Sequence, residues 1–218
     1  MASNPLRQLA SMSRDIRAIG ISKLPRNLQR ACIIFYNRKS QLGERSAKTC
    51  LKIGKAAKYM QLDVFVLQDG TEDEFIETLR HFVSTTSEIL LAFACGQNIT
   101  QGQGTDGIPL SGGVADPDLV YDIFSLKPTE SKVCFLTDAI FTKEAWDKEA
   151  PHGVLFMAPY PDRDASVVSQ FDASEESFFA VLFNNFIKTN PDATPDDIAT
   201  ALEERLSSFG QKVFLKTF

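Results

Sequence analysis

Apolar and polar residues change rhythm repeatedly along this chain, and each change marks an element. Residues 31–36 (ACIIFY) are an apolar, β-branched and aromatic run of strand length. Residues 44–60 instead place Ala47, Leu51, Ile53, Ala57 and Met60 at helical spacing. A second strand at 63–67 closes on the turn Asp69-Gly70. Thr71 then caps a helix through Val83 whose acidic first turn, Glu72-Asp73-Glu74, suits the helix dipole. Strand 88–94 is apolar after Glu88, as in a strand covered on both faces. Residues 95–114, rich in Gly, Gln and Thr, read as a long functional loop with a short strand at 108–110. A helix over 116–125, a strand at 132–137, a short helix with Trp146 over 142–148 and a strand at 154–158 follow. After a polar stretch to Asp172, Phe178, Phe179, Leu182, Phe183 and Phe186 give helix 175–188 a broad apolar face. Thr194-Pro195-Asp196-Asp197 is a capping box opening a helix to Ser208. Gly210 ends it, and 213–218 is a last strand. Strands alternating with helices predict an α/β domain, a six-stranded and mainly parallel sheet with helices on both faces.

Ahead of this body, residues 1–29 read as a basic amphipathic arm. Asn4 as N-cap, Pro5 at the first helical position and Gly20 past the end delimit one expected helix. Leu9, Met12, Ile16 and Ile19 share one face of it, while Arg7, Arg14 and Arg17 project elsewhere. Arg-rich, Ser-rich and acid-poor, the arm resembles a mitochondrial presequence. The expected location is therefore mitochondrial, with cytoplasmic the alternative, and an arm that is kept would be a docking arm.

Composition narrows the function classes. The whole chain is 44% hydrophobic and 23% charged, and its residues 30–218 are expected to fold as one globular domain with no internal linker. The net charge of −5 hides an asymmetry, because residues 1–31 carry six basic side chains and one acid, against 17 basic and 27 acidic in the rest. An acidic body without a Lys/Arg stripe argues against nucleic acid as a partner. Its longest apolar runs fall well short of the about 20 residues of a membrane span, so no transmembrane segment is expected. The four cysteines form no CxxC pair and the two histidines, His81 and His152, are isolated, so neither a metal site nor a cofactor is indicated. Cys32 and Cys134 sit in apolar runs as small buried hydrophobes. Gly102, Gly104 and Gly107 match GxGxxG, but the motif starts well past its strand and runs into Ile108-Pro109-Leu110 rather than into a helix, so it reads as a flexible loop. Asn98-Ile-Thr100 is a glycosylation acceptor without a secretion signal to give it meaning.

Open parallel sheets collect their chemistry beyond the carboxyl ends of the strands, here after Ala94, Thr137 and Ala158. The phrases around those points are EILLAFACGQN, VCFLTDAIF and VLFMAPYPDRDAS. Together with the order of elements they resemble the caspase-type cysteine peptidases, the metacaspase branch above all, over about residues 30–218. The resemblance implies the three-layer caspase-like sandwich. It sets the family's catalytic histidine on Gln97 and its catalytic cysteine on Ile140. It sets Asp138 on the aspartate of the pocket for a basic substrate residue, and Asp162 in a segment where the family has an acidic residue before a Gln-Thr-Ser stretch that this chain lacks. A cysteine peptidase needs a thiolate and a base. Isoleucine offers no nucleophile and glutamine takes up no proton near neutral pH. The reading is therefore a domain without peptidase activity that binds other proteins, as a subunit of a larger complex or as the partner of an active caspase-like relative. The remaining alternative is weak cysteine peptidase activity through Cys95, the one thiol beside the expected cleft.

Overall fold

A computed structural model describes residues 4–37, 43–94, 107–137, 151–161, 177–207 and 211–217. Its strands are β1 (Arg14–Asp15), β2 (Leu28–Tyr36), β3 (Asp63–Gln68), β4 (Thr86–Ala94), β5 (Ile108–Leu110), β6 (Gly113–Ala115), β7 (Lys132–Thr137), β8 (Val154–Pro161) and β9 (Gln211–Thr217). Seven of them form one sheet in the order β1-β3-β2-β4-β7-β8-β9. Every pair in it is parallel except β8 with β9. The six expected strands are all present, and the two-residue β1 adds a seventh at the edge. The separate hairpin β5–β6 is antiparallel.

Helices cover both faces, which explains the unbroken apolar runs of the inner strands. The helices are α1 (Pro5–Met12), α2 (Ile16–Ile19), α3 (Gly43–Tyr59), α4 (Glu72–Thr85), α5 (Pro117–Phe124), α6 (Phe178–Thr189) and α7 (Pro195–Leu206). Alternation along each strand divides the core. Ile33, Phe35, Phe65, Leu91, Phe93, Phe135 and Phe156 pack with α2, α4 and α5. Cys32, Ile34, Val64, Val66, Leu90, Ala92 and Met157 pack with α1, α3, α6 and α7. Aromatic pairs hold the first layer together, Phe35 with Phe75 at 4.7 Å and Phe65 with Phe82 at 4.9 Å between ring centroids. The capping box expected on Thr194 forms with Asp197, and the expected cap Thr71 forms a capping box with Glu74 as well.

The structure departs from the sequence reading at three places. The single helix expected over 5–19 is broken, because Asp15 accepts hydrogen bonds from the N–H groups of Arg17 (2.8 Å) and Ala18 (3.2 Å) and so starts α2 afresh. Between the two helices, Arg14 and Asp15 pair with Phe65 and Val66 as β1. The strand expected over 154–158 runs on to Pro161, with Pro159, Tyr160 and Pro161 in antiparallel register with Val213, Lys212 and Gln211 of β9. The short strand at 108–110 has a partner in β6, across a turn in which Gly112 takes φ 96°. A Cβ on Gly107 would stand 2.4 Å from the Ala115 carbonyl oxygen, so hairpin packing accounts for one glycine of the GxGxxG match. The helix expected over 142–148 lies outside the described residues.

Candidate functional site

Strand order locates the site. β2 leads through α3 to β3 on one side of it, whereas β4 leads through β5, β6 and α5 to β7 on the other. The carboxyl ends of β2 and β4 therefore flank the switch point of the sheet, where open α/β sheets hold ligands. Tyr36 is in register with Ala94, and Phe93 with Thr137, so three strand ends stand side by side about 5 Å apart. Two of these ends precede Cys95-Gly96-Gln97 and Asp138-Ala139-Ile140 in the chain. Cys95, Gln97, Asp138, Ile140 and Asp162 themselves lie outside the described residues. The end preceding Asp162 stands apart, because β8 continues from Met157, level with Leu136, to Pro161, roughly 13 Å further on.

A polar chain unmarked in the sequence reading closes the β2 and β3 side of this edge. The Tyr36 hydroxyl donates to Gln68 Oε1 (2.7 Å), Gln68 Nε2 donates to Asp69 Oδ2 (3.0 Å), and the Asp69 N–H donates to the Tyr36 carbonyl (2.8 Å). Arg17 reaches in from the N-terminal segment. Its Nη2 donates to the Asp69 carbonyl (2.8 Å), and its guanidinium forks onto both carboxylate oxygens of Glu74, with Nε at 2.8 Å from Oε1. The Arg17 hydrogen bond draws the Glu74 carboxyl down to about 2, so this group stays charged at any ordinary pH. The Arg17–Glu74 pair therefore clamps the strand end rather than moving protons. Only the turn Asp69-Gly70 was legible in sequence, since Arg17 and Glu74 are 57 residues apart.

Both histidines of the chain lie away from this edge. His81 sits in the second half of α4, and its Nε2 donates to the carbonyl of Pro25 (2.9 Å), just before β2 begins. β2 then runs roughly 26 Å to Tyr36. His152 is exposed in the turn before β8, whose Val154 is level with Val133, at least roughly 13 Å short of Thr137. Cys32 and Cys50 are buried in the core. Burial raises the Cys32 thiol far above its ordinary range and pushes Cys134 up to about 12, which leaves neither as a thiolate near neutral pH. Among the described residues no cluster of three or more His, Cys, Asp or Glu could hold a metal ion, and no helix is long and apolar enough to cross a membrane.

This sheet order, with helices on both faces and an antiparallel last strand, defines the chain as caspase-like in fold. It superposes on caspase-1 from Spodoptera frugiperda with a TM-score of 0.62 at 11% identity, covering 88% of this chain and 87% of that one. On drICE the TM-score is 0.59 at 13% identity, covering 88% of each chain. No protein-family model and no curated protein matches the sequence.

Proposed function

We propose that this chain is a caspase-fold domain of metacaspase type that has lost peptide hydrolysis and serves as an interaction subunit of a larger protein assembly, located in mitochondria. The observation that carries the reading is the placement of both histidines toward the amino end of the sheet, one of them tied to the Pro25 carbonyl. Thiol hydrolysis needs a base beside the nucleophile, at the opposite edge. The resemblance adds Gln97 and Ile140 where the family carries its base and its thiol. Losing either group costs on the order of four decades of rate by comparison with serine triads. Asp138 then remains as the relic of a pocket for a Lys or Arg side chain, and Asp162 is the second acidic residue that the resemblance sets in a binding role. An electrophilic peptidyl ketone presenting Arg or Asp tests this by intact mass. The expected result is an unmodified chain, and a covalent adduct on Cys95 would overturn the reading.

One observation favours a second reading, in which the domain pairs with an active caspase-like relative. β9 is the last strand of the sheet, with β8 on one side and no strand on the other among the described residues. Lys212 and Lys216 are positions of this edge strand. Capture of the natural protein followed by mass spectrometry separates the two. Stoichiometric partners without a caspase-like member support the assembly. A caspase-like partner that is lost in Lys212→Glu/Lys216→Glu supports pairing through β9.

A further inference from the structure

The N-terminal segment carries a periodicity that its folded structure does not use. Leu9, Met12, Ile16 and Ile19 would form one stripe on a continuous helix, with Arg7, Arg14 and Arg17 on its other faces. In the fold that stripe is cut at Asp15 and its halves go to opposite faces of the sheet. Leu9 and Met12 lie with α3, where a Cβ on Gly54 would come within 3.3 Å of both side chains. Ile16 is fully buried in the other layer, and Ile19 packs against that layer. β1 passes between them around the edge of the sheet, and Arg17 is held by Glu74 and Asp69. No native contact requires the two halves to share one helical face.

A continuous basic amphipathic helix fits one kind of surface well: its apolar face enters the headgroup boundary while its arginines meet anionic lipid. We infer that residues 5–19 are a helix for an anionic membrane surface, stored in the fold as two half-stripes on opposite faces of the sheet, so that membrane binding and the native sheet edge exclude each other. The folded domain hides this helix, and the chain displays it when the edge strand is undocked. The inference stands whether or not the domain hydrolyses peptides.

The test is co-flotation of the full chain with vesicles of phosphatidylcholine alone or mixed with phosphatidylglycerol, alongside hydrogen exchange of residues 5–19. Loosening is imposed separately on each half. Glu74→Gln removes the charge facing Arg17 yet can still accept from the Thr71 N–H, and Gly54→Leu pushes against Leu9 and Met12. Both variants are expected to exchange faster over residues 5–19 and to raise the fraction bound to the anionic vesicles. For Glu74→Gln the rise is about fivefold, the factor set by one partly exposed ion pair. Adding Arg7→Gln and Arg14→Gln should return binding to the level of the natural chain. Faster exchange without added binding, equal binding to neutral vesicles, or no binding by any variant would overturn the inference.

Discussion

Glu74 serves two partners with one carboxylate: it accepts from the Thr71 N–H at 2.9 Å in the capping box and takes the fork of Arg17. Folding lowers its pKa from near 4.5 to about 2, so the unfolded chain binds more protons between those values. The stability Glu74 contributes is therefore fully present above about pH 4.5 and is lost as pH falls toward 2. Because the two side chains are 45% and 31% exposed, the effect is set at about 1 kcal/mol rather than at the full linkage value. Urea unfolding of the natural chain and of Glu74→Gln should differ by that amount near pH 6, and the difference should shrink near pH 3. A constant difference would assign the loss to packing instead. Gly107 makes a steric prediction. With the Ala115 carbonyl oxygen 2.4 Å from any added Cβ, Gly107→Ala should cost about 1–3 kcal/mol in urea unfolding, whereas an unchanged midpoint would mean the hairpin shifts freely.

Among the elements, the N-terminal segment is where sequence and structure part most. The inner strands were legible because a sheet covered on both faces writes them as unbroken apolar runs, and the helices because Thr71, Asp116 and Thr194 cap them locally. The break at Asp15 was not legible. Helical periodicity continues across it in the sequence, and the bonds that win, β1 to β3 and Arg17 to Glu74, join residues far apart in the chain. The extension of β8 was hidden by Pro159 and Pro161, because proline donates no ladder hydrogen bond and argues against a central strand. Because Ile16 is fully buried beside the sheet, Ile16→Ala should destabilise the domain by about 2–4 kcal/mol. Leu126→Ala, at a side chain 56% exposed, should stay within about 0.5 kcal/mol. Equal melting temperatures for these two variants would mean that the segment is a free arm, as its amphipathic sequence first suggests.

At the scale of the molecule, a caspase-like sheet is recovered at 11% and 13% identity, because burial on both faces constrains the pattern of apolar positions far more than their identity. The candidate site was legible only as a set of strand ends. Which of them adjoin depends on strand order, and order is a property of crossovers that the chain does not spell out locally. The sheet sets the ends of β2, β4 and β7 together and the end of β8 beyond them, and it leaves His81 and His152 toward the other edge. The central claim is that this scaffold performs no peptide hydrolysis. It is tested most directly by turnover of fluorogenic peptides ending in Arg, Lys or Asp, comparing the natural chain with Cys95→Ala. The account predicts no turnover by either protein above the uncatalysed rate. Turnover by the natural chain that Cys95→Ala abolishes would contradict it.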